Sequence, residues 1–367
     1  MRIWKLITMC LVMLLAVAAA GFSQQTTDED TAAKNERIAQ LESKIEAIQA
    51  ELGILKNSIN EPEGSIQTTV SDVKKIKQIK FSGYFQGRYT YDFDPAKANS
   101  NGFSDRRARL KAEAKPSDNI TAVYQIDFGG STVTTKDAYI QYAIKGDPAK
   151  GPSIMFGQFL TPFGYQLTRS SSLRETPEFS DVVAGLLGPT EYDQGVKFST
   201  ATDKPLTMEV GLFNGEGANK AEVFKSKNII GRLRYAITPN FDAGISGYSG
   251  SEAIVLGKTE AKKTRIGADA EFYLDDASIK AEYISGRDKN VDKSGYWAQV
   301  TKNITKQDTG VVMYDVYDNG AAKNNVTHNW NVGWIRYLDQ STKVKLFWKF
   351  PDNHKYNLAI FEVLTTF

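Results

Sequence analysis

Ile79-Lys80-Phe81-Ser82-Gly83-Tyr84-Phe85-Gln86-Gly87-Arg88-Tyr89-Thr90-Tyr91 decides the fold. Successive side chains of an extended chain point to opposite faces. Ile79, Phe81, Phe85, Tyr89 and Tyr91 therefore share one face, with Gly83 and Gly87 between them. Lys80, Ser82, Tyr84, Gln86, Arg88 and Thr90 share the other. One face suits lipid and the other suits water, which is the pattern of a transmembrane β-strand.

The alternation recurs to the end of the chain. Ile120, Ala122, Tyr124, Ile126 and Phe128 oppose Thr121, Gln125 and Asp127. Ile266, Ala268, Ala270, Phe272 and Leu274 oppose Arg265, Asp269, Glu271 and Tyr273. Sixteen such segments can be marked between 79–91 and 357–367. Their connections sort by side. After even-numbered segments they are short: Pro116-Ser117-Asp118, Thr238-Pro239, Asp275-Asp276 and Gln340. After odd-numbered ones most are long: 92–103, 161–192, 215–226, 250–262 and 318–326. Short turns on one side and long loops on the other predict an all-β fold, a 16-stranded antiparallel transmembrane barrel. An even strand count puts both ends of the barrel domain (79–367) on the periplasmic side. The final segment alternates up to Phe361, Val363 and Phe367, like the C-terminal assembly signal of bacterial outer-membrane proteins.

The longest connection, 161–192, opens at Thr161-Pro162-Phe163-Gly164 and shows neither a strand nor a helix pattern. A loop that long inside a compact domain is usually functional or disordered. Within a water-filled barrel it can fold inward and narrow the pore. Arg169, Arg174 and Glu175 are its candidate constriction residues.

Upstream the period changes. Ile38, Leu41, Ile45, Ile48, Leu52, Leu55 and Ile59 are spaced alternately three and four apart, a heptad over the predicted helix 28–60. Arg37 with Glu42 and Glu51 with Lys56 are complementary pairs for a parallel coiled coil. The alternative is an amphipathic helix lying on its own barrel, and the mixed Ile/Leu core leaves dimer and trimer both open. A helix of this length reaches about 45 to 50 Å. Asn60-Glu61-Pro62-Glu63-Gly64 ends it, and 61–78 reads as a linker with a basic run at Lys74-Lys75-Ile76-Lys77. Residues 1–23 read as a secretory signal: Arg2 and Lys5, an apolar run from Ile7 to Val17, then Ala18-Ala19-Ala20. Cys10, the single cysteine, lies within it, so the mature chain is expected to have no thiol chemistry.

Composition agrees with this reading. The chain has 367 residues, and Lys+Arg (45) nearly cancel Asp+Glu (43), so bulk charge points to no partner and gives no sign of nucleic-acid binding. Aromatic residues make up 11%, which suits strands and membrane interfaces. The negative mean hydropathy excludes a helical membrane protein and not a barrel, whose strands are polar at alternate positions.

Several segments resemble the phosphate-selective porin O and P family. They are Phe81-Ser82-Gly83-Tyr84-Phe85-Gln86-Gly87-Arg88, Arg106-Arg107-Ala108-Arg109-Leu110, Asp137-Ala138-Tyr139-Ile140 and Phe156-Gly157-Gln158-Phe159-Leu160-Thr161-Pro162-Phe163-Gly164. Phe213-Asn214-Gly215, Gly231-Arg232-Leu233 and Ala281-Glu282-Tyr283 continue the likeness to the end of the chain. The resemblance implies a trimeric channel in the bacterial outer membrane whose third external loop, here 161–192, folds inward. It also implies an arginine ladder and a lysine cluster at the constriction. Arg106-Arg107 and Arg232 stand at the ladder motifs, whereas the 161–192 loop carries no dense lysine run. The coiled coil lies outside the porin domain and fits a periplasmic trimer stalk.

Strand phase selects the candidate lumen cations. Arg88 opposes Phe85 and Tyr89. Asp105, Arg107, Arg109, Lys111 and Glu113 share one face, so Arg107, Arg109 and Lys111 form a column with about 7 Å per step. Arg232, Arg234 and Arg265 also face inward, while Arg106 falls in the lipid phase. An arginine fork gives bidentate hydrogen bonds to an oxyanion. Inward carboxylates such as Asp105, Glu113, Asp127, Asp137, Asp269 or Glu282 could instead pair with these cations, leaving a general pore. No catalytic arrangement, cofactor motif or metal spacing appears: the only histidines are His328 and His354, and Asp92, Asp94, Asp315 and Asp318 read as turn acids. The expected protein is a trimeric outer-membrane porin for small anions such as phosphate, in contact with membrane lipid. The alternatives are a general hydrophilic-solute porin, or a coiled-coil envelope tether whose barrel is an anchor.

Overall fold

The computed structural model describes residues 28–60, 79–94, 101–147, 150–223, 225–255, 259–321, 326–351 and 357–367. The signal segment, the 61–78 linker and His354 lie outside them. The chain divides into two compact units at Ile76/Lys77. In the first, α1 (Asp28–Asn60) is rich in good helix formers, with Gly53 its only interior glycine and Pro62 just past its end. The stripe Ile38, Leu41, Ile45, Ile48 and Leu52 stands exposed along it.

The second unit is a closed antiparallel barrel of sixteen strands. They are β1 (Ile79–Asp92), β2 (Gly102–Ser117), β3 (Ile120–Asp127), β4 (Thr134–Ala143), β5 (Ser153–Leu160), β6 (Tyr192–Ser199), β7 (Leu206–Phe213) and β8 (Asn228–Thr238). They continue as β9 (Phe241–Val255), β10 (Thr259–Tyr273), β11 (Ala277–Asp288), β12 (Val291–Asn303), β13 (Asp308–Asp318), β14 (Val326–Tyr337), β15 (Thr342–Pro351) and β16 (Leu358–Thr366). Each strand pairs with its sequence neighbours, and β16 closes on β1 from Tyr84↔Thr366 to Asp92↔Leu358. Closure leaves no open edge, so the ladder satisfies its own backbone groups within lipid.

The expected phase holds in β1: Phe81, Phe85 and Tyr91 are exposed on the outer wall, while Tyr84, Gln86 and Arg88 are buried inside. It fails at one place in β2. Gln86 pairs with Arg107 but Gly87 pairs with Asp105, so Arg106 is an extra, unopposed residue. Such a bulge interrupts the alternation. Asp105 therefore leaves the lumen face and stands opposite Gly87 of the outer wall, and Phe103 packs on Tyr89 outside. Arg106 and Arg107 both turn toward the lumen.

Two connections differ from expectation. Most of 250–262 is ladder, with Gly250↔Lys263, Ser251↔Lys262 and Glu252↔Ala261 prolonging the β9–β10 hairpin. The 161–192 insert is ordered, with a short helix α2 (Asp181–Leu186) and a 3-10 turn at Gly188–Thr190. The apolar run from Val182 to Leu187 forms that helix because it has an apolar surface to meet. Val182, Val183 and Leu186 are buried in one cluster with wall residues Ile284, Trp297 and Met313.

Candidate functional site: the lumen constriction

The loop between β5 and β6 crosses the lumen. Its neck is tied where Thr161 N–H donates to Glu191 O (3.0 Å) and Thr161 Oγ1 donates to Thr190 O (3.0 Å). Its first arm docks on β9–β12. Glu282 of β11 accepts from the backbone N–H of Tyr165 (3.1 Å) and Gln166 (3.2 Å) and from Trp297 Nε1 (3.0 Å). Tyr165 Oη donates to Glu271 (2.6 Å) and Gly164 N–H to Ser246 Oγ (2.9 Å). Gly164 has φ +67°, and a Cβ there would stand 1.8 Å from Glu282 Oε1, so the approach needs glycine. Phe163, Leu167 and α2 fill this half of the lumen with an apolar core against Phe159, Phe213 and Ile230.

The second arm faces β15, β16, β1 and β2, where cations gather. Arg88 donates to Glu362 (2.8 Å) and to Glu178 of the loop (2.6 Å). Arg106 grips both Glu178 oxygens (2.6 and 2.9 Å), and Arg107 reaches Glu178 (3.4 Å) and Gln86 (3.0 Å). Arg109 holds Asp127 (2.8 Å). Lys345 pairs with Glu362 (3.1 Å) and donates to Arg174 O (3.0 Å), and Lys343 donates to Ser172 O (2.7 Å). Arg174 itself lies over the Phe179 ring at 3.8 Å, buried, with Nε and Nη1 lacking any hydrogen-bond partner. Burial and the Arg107 charge beside it push its guanidinium down to about 10. Burial opposes ionisation of Glu178, but Arg106, Arg107 and Arg88 prevail and hold its carboxyl well below the usual range. Seven cations (Arg88, Arg106, Arg107, Arg109, Arg174, Lys343 and Lys345) thus face three paired carboxylates (Glu178, Glu362 and Asp127).

The other candidates are more fully neutralised. Lys111 pairs with Glu113 (3.0 Å), Arg232 with Asp269 (2.5 Å), and Arg234 with Asp242. Arg265 is buried and serves the loop: it pairs with Asp288 and donates to Leu186 O at the end of α2. Of the loop residues, Arg169 binds Glu271 (2.8 Å) on the β10 side, and Glu175 takes Lys280 and Gln299. Arg174 alone of the three meets the basic wall. The sequence reading missed Lys343 and Lys345, although Lys343-Val344-Lys345-Leu346 alternates cleanly and its phase was available. Asp137 lies near Lys111 and Arg109, and His328 Nδ1 meets Tyr314 Oη (2.9 Å) on the outer wall. No cluster of metal-ligating side chains occurs among the described residues.

Solved structures share this architecture at low identity. An anion-selective porin from Comamonas acidovorans aligns with TM-score 0.62 and 13% identity, covering 79% of this chain and 99% of that one. OmpT of Vibrio cholerae, in its trimer form, gives 0.59 and 11%, covering 79% and 99%. OmpF of Salmonella typhi, in complex with daunomycin, gives 0.58 and 11%, covering 79% and 97%. No curated protein sequence matches the chain. The profile of the phosphate-selective porin O and P family matches residues 79–271, more than half of the chain. A closed sixteen-stranded barrel with an in-folded loop, carrying that family's sequence pattern, is a channel of the bacterial outer membrane, and the chain belongs to the phosphate-selective porin O and P family.

Proposed function

We propose that this porin passes small anions, phosphate among them, by passive diffusion, and that it does so as a homotrimer with a periplasmic coiled coil built from α1. One observation carries the anion reading: Arg174 offers two unpartnered buried N–H groups beside Arg107, on a wall where cations outnumber their carboxylate partners. An oxyanion that reaches the guanidinium gives one of these nitrogens the partner that the protein leaves out. Partly occupied neighbours such as Lys343 and Lys345 give a row of weaker steps from which an ion can still leave. The Comamonas porin, anion-selective by its description, points the same way. The trimer is supported by the trimer form of the OmpT relative in fold and by the exposed heptad stripe of α1.

A specific observation favours the second reading, a general hydrophilic-solute porin. Arg88, Arg109, Arg232 and Arg234 all hold carboxylates, which lowers the fixed charge a solute meets. Planar-bilayer recording separates the two. Under a KCl gradient the reversal potential is expected to favour chloride, and added phosphate to block the chloride current. Arg107→Ala is expected to weaken that block about tenfold, the loss of one charge-assisted hydrogen-bonding group. Weak or cation selectivity without phosphate block retires the anion reading. An envelope tether would tolerate deletion of the 161–192 loop without any change in conductance.

A further inference from the structure

The lumen wall of a porin is expected to be polar. On β13–β16 an apolar patch interrupts it. Val311, Ile335, Phe347 and Ile360 all face inward and pack as a second apolar cluster, separate from the core beneath the loop. The Phe347 ring lies across Gly333, where a Cβ would stand 2.3 Å from it. This apolar wall continues into a chamber of about 310 Å³ closed on its other side by Pro177 and Phe179 of the loop. Leu358 and Phe179 are only half-buried there, so apolar surface remains presented to the chamber. The volume is that of a small-molecule site.

The polar groups of the chamber are unequal. Glu178 is neutralised by Arg88, Arg106 and Arg107. Asp181 is held by Lys349 (2.7 Å) and by Asn329 Nδ2 (2.8 Å). An ammonium group carries three N–H donors, and Lys349 places one of its own on Asp181. Asp315 stands beside Asp181 and accepts from Asn329 and Asn331 (3.2 Å each). Lys349, Arg88, Arg106 and Arg107 therefore face Glu178, Asp181 and Asp315, a small excess of positive charge beside an apolar wall. Leu358 and Lys349 stand at the end of β15–β16 away from Phe367. A solute entering from that end therefore meets the chamber before it meets Lys345 and Arg174.

We infer that this chamber takes organic monoanions with an apolar body, small aromatic or branched aliphatic carboxylates, ahead of the constriction. The inference rests on the anion reading above and narrows its substrate class. The apolar body lies between Phe347, Ile360 and Leu358 on one side and Phe179 on the other, and the carboxylate shares Lys349 with Asp181.

The test uses the full-length channel in planar bilayers with KCl, titrated with benzoate, acetate and benzylamine. Benzoate is expected to half-block the chloride current at roughly one-tenth of the acetate concentration, since part of a ring leaves water in the chamber. Benzylamine is expected to block no better than acetate. Phe347→Ala and, independently, Leu358→Asn are expected to bring the benzoate-to-acetate ratio toward one while phosphate block stays at its wild-type level. Equal potency of benzoate and acetate in the wild type overturns the inference, and so does a ratio that survives both substitutions. Strong block by benzylamine overturns the assignment of charge. If phosphate still blocks in these cases, the anion reading stands alone. If the wild type shows neither chloride preference nor phosphate block, both readings fall together.

Discussion

Arg174 carries a charge that its surroundings do little to satisfy. Its Nε and Nη1 lack partners, the Phe179 ring lies 3.8 Å from its guanidinium, and a second guanidinium lies beside it. Replacing buried charge by an apolar side chain of similar volume is often neutral or stabilising. Arg174→Met is therefore expected to stabilise the detergent-solubilised barrel by about 1–2 kcal/mol, read as a higher unfolding midpoint. The same substitution should weaken phosphate block at least as much as Arg107→Ala. A lower midpoint would show that Arg174 is a structural residue and not a binding one. Very little of this was legible in the sequence. Arg174 was visible as a loop cation, but that it faces Lys345 and Arg107 follows only from how a thirty-residue excursion lands on strands far away in the chain.

At the scale of elements, the strands were readable and the loop was not. Period-two alternation is a local property, so Arg88, Arg109 and Arg232 could be assigned to the inner face before any pairing was known. The insert has no period because its order comes from the barrel. Val182, Val183 and Leu186 become a helix face only against Trp297 and Met313. The main hinge of that docking is Glu282, which accepts two loop N–H groups and the Trp297 indole. Glu282→Ala strands three donors, each costing about 1–3 kcal/mol when buried. The expected result is a folded barrel with a loosened loop, seen as greater open-channel noise and a larger mean conductance. An unchanged single-channel record would show that the apolar core alone holds the loop.

For the whole molecule, sorted loops and an even strand count were enough to predict a closed barrel with its termini together. The proposed assembly is tested on α1. Ile38, Leu41, Ile45, Ile48 and Leu52 stand exposed, and an uncovered stripe of that length is costly in water. The parallel coiled coil proposed between copies would cover it. Ile45→Lys together with Ile48→Lys is expected to shift the detergent-extracted protein from trimer toward monomer in analytical ultracentrifugation, without changing conductance per barrel. A trimer that withstands the pair of substitutions would place assembly in the barrel walls alone.

The bulge at Arg106 bears on how such pores diverge. Upstream of it, the strand runs out of step with the residues that follow, with Asp105 outside and Arg107 inside. Loss of that single residue would leave every pairing in place: Asp105 opposite Gly87, Ser104 opposite Arg88 and Phe103 opposite Tyr89. One codon deleted would therefore remove a positive charge from the passage and turn no other side chain. In this fold a bulge lets a strand carry one more charge into the lumen without rewriting the residues on either side of it.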